Sequence, residues 1–171
     1  LWAKRTGGDG IERAEDVTTD AGGNVYVTGT FEGTVDFDPG DGTSNLTSDR
    51  GLSVFVQKLD ANGDFLWARS VRSSANGWSI TADGDGNVYI TGGFTNPLNT
   101  DGSTIFLHKL LSNGDMSWEV TMGGPSLEEG QALATDSKGN VYMAGRFSNT
   151  VDFDPSINEV NMTSEGGQDI F

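Results

Sequence analysis

One phrase of ten residues occurs three times in this chain of 171 residues, and it restricts the possible folds more than any other feature. It reads DAGGNVYVTG from Asp20, DGDGNVYITG from Asp83 and DSKGNVYMAG from Asp136. A tryptophan precedes each copy and a phenylalanine follows each, at similar distances. A chain that repeats the same anchors in the same order is typical of a fold built from equivalent units.

Each unit contains four short runs of alternating or β-branched residues, which predict four strands. In the first unit they cover 15–19, 25–31, 53–59 and 65–71, and we name them A to D. The phrases DANGD (60–64) and LSNGD (111–115) separate C from D, and Asn-Gly supplies the positive φ angles of a tight hairpin. The sequence therefore predicts an all-β fold, a β-propeller built of four-stranded antiparallel blades.

The chain contains about three blades' worth of strands, in permuted register. We expect one propeller segment over 1–171, with 1–5 as the last strand of a preceding blade, 11–72 and 77–122 as blades, and 129–171 as a partial blade. One blade exposes two apolar faces, so blades must stack around an axis. The recurring aromatic residues are expected to pack between blades: Trp2, Trp67, Trp118, Tyr26, Tyr89 and Tyr142. Three blades do not normally close a ring, so we expect a segment of a longer propeller; assembly of copies that complete each other's blades is the alternative.

The phrases GNVYVTG, VQKLDANGDFLWA and TVDFDPG resemble the SBBP β-propeller repeat of bacterial and archaeal secreted or surface proteins. The resemblance covers nearly the whole chain, and it specifies the fold better than the chemistry. It implies an extracellular or cell-surface location. It also implies a non-enzymatic repeat module for binding, adhesion or surface architecture.

The charge and the cysteine count exclude several classes of function. Ten Lys and Arg against 25 Asp and Glu give a net charge of −15, which repels nucleic acid and anionic membrane surfaces. The chain has no cysteine, so disulfides, thiolate zinc sites and cysteine nucleophiles are excluded. No apolar run is long enough for membrane insertion. The expected partners are other blades of a longer chain or copies of itself, together with a surface glycan or protein.

The loops at one end of the predicted blades carry most of the variation between units. We call the end with the B–C and D–A loops the loop face, and the end with the A–B and C–D turns the turn face. Ligands tend to meet variable loops on a rigid scaffold, so binding is expected on the loop face. A carbohydrate-active hydrolase or lyase is the alternative, with Glu12, Glu128 and Glu129 as carboxylates on that face. The single histidine, His108, is expected to be structural, because it matches Gln57 in the first unit.

Two acidic motifs are candidate metal sites. DGDGN resembles the start of an EF-hand loop, but Val88 replaces the required glycine and Phe94 the bidentate glutamate. A turn is therefore favoured, with Asp83 and Asp85 as a weak exception. TVDFDPGDG (34–42) and TVDFDPS (150–156) place two carboxylates on one side of a strand. The candidate cofactor there is calcium, which carboxylate oxygens bind, and the candidate ligands are Asp36, Asp38, Asp152 and Asp154. The favoured alternative is an amphipathic strand whose aspartates are hydrated.

Trp78 lies outside the recurring tryptophan positions and aligns with Glu15 and Gln131. Two interpretations are open. Its ring could present a stacking surface on the loop face, or it could fill the gap left by a short D–A loop; filling is favoured.

Overall fold

The computed structural model describes residues 1–49, 51–95, 102–124 and 126–171, and every regular element within them is a β-strand. The described residues include no apolar helix of membrane-spanning length. The strands are β1 (Gly7–Gly8), β2 (Glu12–Thr19), β3 (Val25–Phe31), β4 (Thr34–Asp36), β5 (Asn45–Thr47), β6 (Ser53–Leu59), β7 (Phe65–Ser73), β8 (Ala75–Ala82), β9 (Val88–Phe94), β10 (Thr104–Leu110), β11 (Met116–Met122), β12 (Glu129–Thr135), β13 (Val141–Asp152) and β14 (Asn161–Ile170).

Three of the sheets are successive blades of the same design. Blade 1 has the order β2-β3-β6-β7, blade 2 the order β8-β9-β10-β11, and blade 3 the order β12-β13-β14. All their pairings are antiparallel. A fourth, small sheet with the order β1-β4-β5 lies in the loops of blade 1. The predicted all-β fold of four-stranded antiparallel units is confirmed.

Residues 1–5 are not a strand in this structure, contrary to expectation. A D strand is hydrogen-bonded to the C strand of its own blade, and none of the described sheets provides a C strand that pairs with residues 1–5. The segment nevertheless contacts the C–D turn of blade 1. The indole Nε1 of Trp2 donates to the carbonyl oxygen of Ala61 at 3.1 Å, and Lys4 Nζ lies 3.4 Å from Asp64 Oδ1. Its assignment to a preceding blade stays a prediction.

The blades are stacked through their A strands. Strand β8 lies against β2 and β3 of blade 1, and β12 lies against β8 and β9 of blade 2. The core between blades 1 and 2 joins apolar side chains of both sheets: Tyr26, Val54, Val56 and Trp67 from blade 1, and Ile80, Val88, Ile90, Phe106 and Leu110 from blade 2. Burying such a side chain contributes about 1.5–3 kcal/mol. The stacking therefore supplies the core that a single blade lacks.

The tryptophan of a D strand sits on the C–D turn of the next blade. Trp67 Nε1 donates to the carbonyl oxygen of Ser112 at 3.1 Å, as Trp2 does to Ala61. A Cβ atom at Gly114 would lie 2.9 Å from Trp67 Cδ2, and one at Gly63 would lie 2.9 Å from Trp2 Cδ2. The Asn-Gly turn thus has a second role, because its glycine lets the indole of the neighbouring blade approach the backbone.

The expected inter-blade packing holds for only part of the aromatic set. Tyr26, Tyr89 and Trp67 are buried, at 0%, 3% and 8% exposure. Trp118 and Tyr142 are 39% and 58% exposed. Trp67 packs on the C–D turn of the next blade, and the described residues provide no such turn beside Trp118. Among the described residues, Trp118 and Tyr142 lack the neighbour that their counterparts have.

The long B–C inserts of blades 1 and 3 form the same hairpin. Thr34, Val35 and Asp36 pair with Thr47, Leu46 and Asn45, and blade 3 repeats this register as an extension of β13 and β14. Phe37 is folded back against Phe31 and Phe55, with ring centroids 5.3 and 4.8 Å apart. In blade 3, Phe153 contacts Phe147 and Phe171 at 5.3 and 4.7 Å. Each hairpin therefore closes one edge of its blade with an aromatic cluster.

Candidate functional site

The repeated ten-residue phrase forms the A–B turn, on the turn face. Asp20 Oδ1 accepts the backbone N–H groups of Gly22 and Asn24 at 2.9 and 3.0 Å. Its Oδ2 accepts from Asn24 Nδ2 at 2.8 Å and lies 2.9 Å from the hydroxyl of Tyr26. Asp83 and Asp136 make the same set of contacts. The turn interpretation is confirmed, since the carboxylate is saturated by its own turn.

These contacts lower the pKa of the turn aspartates. Burial raises the pKa of Asp20 and Asp83, but hydrogen bonds from the asparagine, the tyrosine and the backbone outweigh it, so the pKa of each lies below the ordinary value of 3.8. Burial and the neighbouring Asp20 carboxylate raise the pKa of Tyr26. The charged aspartate is therefore the form that the fold stabilises.

We expect the protein to lose stability in acid. The unfolded chain has ordinary carboxyl pKa values, so the stabilisation is fully present above about pH 4 and is lost as the pH falls through the lower folded values. The urea midpoint measured between pH 6 and pH 3 checks this. Asp83→Asn should be less stable at pH 6 and show a weaker pH dependence. An unchanged midpoint of the unsubstituted protein across that range would contradict the assignment.

The four candidate calcium ligands cap their own hairpins. Asp36 Oδ1 accepts the N–H groups of Asp38 and Ser44 at 3.0 and 2.8 Å, and Asp152 Oδ1 accepts those of Asp154 and Val160 at 3.0 and 2.9 Å. Asp38 and Asp154 each accept one more loop N–H at 2.8 Å. Within the described ranges, no group of three or more His, Cys, Asp or Glu side chains is arranged to hold a metal.

Calcium binding by these aspartates stays a prediction that one titration tests. Calcium is added while thermal unfolding is followed. A rise in the midpoint that disappears in the Asp36→Asn, Asp38→Asn double variant would support the site. An absence of any response would remove calcium from consideration.

Two of the candidate catalytic glutamates are equivalent in the repeat. Glu12 is the first residue of β2 and Glu128 immediately precedes β12, and each has a buried Oε1 without a hydrogen-bond partner among the described residues. Glu128 is fully buried, and its Oε2 accepts the N–H of Gly124 at 3.1 Å. Burial raises the pKa of Glu128, against the backbone bonds from Gly124 and Ser126. The structure thus places both in a repeated D–A loop.

Sequence reasoning did not identify the equivalence of Glu12 and Glu128, although the sequence contains a pattern that indicates it. The pattern G-G-x-x-x-E occurs at 7–12 and 123–128, only in the units that also carry the VDFDP hairpin. Gly7 and Gly8 pair with Asp36 and Val35, and a bridge joins Gly123 to Asp152. Blade 2 has Ala75 at the glutamate position. The double glycine, the glutamate and the hairpin therefore form one structural group.

His108 lies within blade 2 and is fully buried. Its Nε2 is 2.8 Å from Glu119 Oε2, whose other oxygen lies 3.1 Å from Arg72 Nη1. Burial lowers the pKa of His108, the Glu119 carboxylate raises it, and Arg72 lowers it further, with a net decrease. A fully buried imidazole at the position of Gln57 packs the sheet and is closed to a substrate in this conformation.

The most distinctive loop-face residues come from β-bulges in the A strands. The pairing register shifts at Glu15 in β2, at Trp78 in β8 and at Gln131 in β12. A bulge leaves one residue unpaired and redirects its side chain, and such bulges are frequent next to functional sites. The three positions therefore align in the sequence because each is the bulged residue of its A strand.

Trp78 borders two clefts on the loop face. The larger, of about 390 Å³, is also lined by Asn76, Phe94, Ser103 and Glu129. The smaller, of about 260 Å³, is lined by Trp78, Glu129, Gln131 and Arg146. The indole Nε1 is buried and has no partner among the described residues. The exposed part of the ring is therefore carbon.

An ion pair forms the wall opposite Trp78. Glu129 and Arg146 face each other across β12 and β13. Glu129 Oε2 accepts from Arg146 Nε at 2.9 Å, lies 2.8 Å from Nη2, and accepts from Gln131 Nε2 at 3.4 Å. Arg146 Nη1 donates to Gln168 Oε1 at 3.2 Å. These contacts fix the guanidinium, and the two formal charges cancel. We name Asn76, Trp78, Glu129, Gln131 and Arg146 the Trp78 cleft.

A further cleft, of about 430 Å³, lies on the outer face of blade 1 and has a different origin. Its walls include Val25, Val27, Phe55 and Leu59. The equivalent residues of blade 2 are Val88, Ile90, Phe106 and Leu110, which are buried against blade 1. Val25 and Val27 are half-buried, whereas Phe55 and Leu59 are buried within blade 1, so this cleft is a partly covered counterpart of the inter-blade surface of blade 2. Ligand specificity is better sought at the Trp78 cleft.

Comparisons with known proteins give distant relatives, one of which is a WD repeat-containing protein. No family model matches the chain. An uncharacterised WD repeat-containing protein of Acanthamoeba polyphaga mimivirus is 25% identical over 184 residues, which cover 86% of this chain and 13% of that protein. The regulatory protein FlaEY of Caulobacter vibrioides is 32% identical over 151 residues, which cover 80% of this chain and 16% of that protein.

A solved structure is also similar to this chain in its fold. A crystal structure of a protein of unknown function from Bacteroides caccae superposes with a TM-score of 0.54 and 9% identity, over 91% of this chain and 47% of that one. The chain thus spans a small part of its curated relatives. It is an all-β array of propeller-type blades with distant relatives that include a WD repeat-containing protein.

Proposed function

We propose that this chain is a non-enzymatic, extracellular β-propeller repeat module of the SBBP type, which serves binding, adhesion or surface architecture through its loop face. The observation that carries the proposal is the contrast between the two ends of the blades. The turn face repeats the same aspartate-closed turn three times. The loop face of blade 2 differs from those of blades 1 and 3, which share one hairpin, and it borders the Trp78 cleft. Variable loops on a repeated rigid frame are the usual place for recognition.

The proposed partners include further blades, in a longer chain or in copies of this one. Two surfaces support this. On the outer face of blade 1, Val25 and Val27 are half-buried where their counterparts in blade 2, Val88 and Ile90, are fully buried. On blades 2 and 3, Trp118 and Tyr142 are exposed where Trp67 and Tyr26 are buried. Apolar faces of this kind are normally covered in a propeller.

A carbohydrate-active hydrolase or lyase is the less supported alternative. The raised pKa of Glu128 is a property that general acids share. However, Glu128 is fully buried and has an equivalent in Glu12, and both lie beside a double-glycine loop. Glu129 is committed to Arg146. A structural role explains all three carboxylates without a reaction.

Site-directed attachment of a bulky polymer tests the binding face. The chain has no cysteine, so Thr95→Cys on the loop face and Ala21→Cys on the turn face can each be labelled with maleimide-polyethylene glycol. Both positions are exposed. Binding to an array of surface glycans and extracellular matrix proteins should be lost in the labelled Thr95→Cys variant and kept in the labelled Ala21→Cys variant. Equal loss in both, or cleavage of array glycans by the unmodified protein, would contradict the proposal.

A further inference from the structure

We propose that the Trp78 cleft is a binding site for a neutral glycan, with one sugar ring against the indole of Trp78 and its hydroxyl groups bonded to Arg146 and Gln131 in the smaller cleft, and with Asn76 in the larger cleft available to an adjoining sugar. The inference rests on the proposed function, because it names the ligand class of the same face. It is carried by three features of the cleft: the exposed surface of the indole, the free hydrogen-bonding groups and the local charge.

The exposed surface of Trp78 suits a sugar ring. Because Nε1 is buried, the ring offers carbon atoms to the two clefts. A hexose has one face of C–H groups and an edge of hydroxyls, so it needs an apolar plane beside polar groups. Aromatic side chains provide such planes at low entropic cost. Blades 1 and 3 carry Glu15 and Gln131 at this bulge, so the plane belongs to blade 2 alone among the described blades.

The polar wall offers hydrogen bonds in fixed positions. A guanidinium has five N–H groups, and Arg146 uses three of them on Glu129 and Gln168. The other two have no acceptor in the described part of the chain. Asn76 is exposed and lines the larger cleft, and Gln131 lines the smaller one. Sugar hydroxyl groups both donate and accept hydrogen bonds, so they can pair with the guanidinium N–H groups and with the side-chain amides.

The charge balance favours a neutral ligand. Glu129 neutralises Arg146, so the cleft has no formal charge of its own. The chain as a whole carries −15, which repels polyanions such as uronic acid polymers. An apolar ligand is disfavoured as well, because burying the ion pair and the free N–H groups without partners costs free energy. A neutral polyhydroxylated ring avoids each of these penalties.

Calorimetric titration and the indole signals of a ¹⁵N-labelled sample test the site. The probes are neutral β-1,4-linked glucose, mannose and N-acetylglucosamine oligosaccharides, with an oligogalacturonate as the charged comparison. Among four tryptophans, the Trp78 signal is assigned by its loss in Trp78→Gln. We expect a neutral oligosaccharide to bind and to shift this signal. Trp78→Gln should weaken binding at least about tenfold, and the oligogalacturonate should bind at least about tenfold more weakly.

Two variants separate loss of the site from loss of the fold. Trp78→Gln introduces the residue that blade 3 carries at the same bulge, so its unfolding midpoint should stay close to that of the unsubstituted protein. Glu15→Gln changes the matching bulge of blade 1 and should leave the affinity unchanged. Glycan binding that survives Trp78→Gln would overturn this site and leave the proposed function standing. Failure of all the neutral probes to bind, or preference for the charged one, would overturn the glycan assignment, and the polymer experiment would then decide the function separately.

Discussion

Replacing Trp67 with alanine is expected to destabilise the protein by about 3–5 kcal/mol. Trp67 is 8% exposed, packs edge-on against Tyr26 at 6.1 Å, and donates to the C–D turn of the next blade. Its removal leaves a cavity between two sheets, and the Ser112 carbonyl oxygen keeps only the hydrogen bond from Lys58 Nζ at 3.1 Å. Urea unfolding, followed by far-ultraviolet circular dichroism, measures the change.

Trp118 provides the matched control. It occupies the same position in blade 2 and contacts Tyr89 at 6.0 Å, but it is 39% exposed. Trp118→Ala should therefore cost about 1 kcal/mol or less. Equal effects of the two substitutions would mean that the contact with the next blade contributes nothing, and the stacking account would fail.

The second large effect is expected for Gly114→Ala, at about 3 kcal/mol. Gly114 has φ +85°, a conformation that costs a residue with a Cβ atom about 1–2 kcal/mol. The new Cβ atom would also lie 2.9 Å from Trp67 Cδ2, so the indole must leave its position. Urea midpoints of the variant and of the unsubstituted protein give the difference.

Gly139→Ala isolates the backbone contribution. Gly139 has φ +80°, and a Cβ atom there meets nothing within 4 Å. Its cost should be about 1–2 kcal/mol, from the backbone alone. In a Trp67→Ala background, the cost of Gly114→Ala should fall to the same value, because the clash is gone. If the two glycines cost the same in the unsubstituted protein, the predicted clash is wrong.

The turns and most of the strands could be predicted because they depend on local chemistry. The Asp, Asn and Tyr side chains of the repeated phrase close one turn among themselves, so the pattern is sufficient. Strand C of blade 1 was placed correctly over 53–59. Strand A begins at Glu12, earlier than the predicted 15, because pairing continues past the bulge.

The candidate site was less predictable because it depends on contacts between distant segments. Arg146 and Glu129 show no pattern in the sequence, and only the pairing of β12 with β13 brings them together. The sequence located Trp78 and offered stacking as one interpretation, but it could not show the clefts. The exposure of Trp118 and Tyr142 was also missed, because repetition predicts equal burial whereas burial requires a neighbour.

The indole of Trp67 is hydrogen-bonded to Ser112, which lies 45 residues later in the chain, so this contact forms only after Ser112 has been synthesised. At about 5–20 residues per second, a ribosome needs roughly 2–9 s to deliver the turn that receives this indole. During that interval, newly synthesised blade 1 exposes to solvent the apolar face that later packs against blade 2. Because transiently exposed apolar surface promotes aggregation, we expect a translation pause or chaperone capture at that stage to change the yield of folded protein.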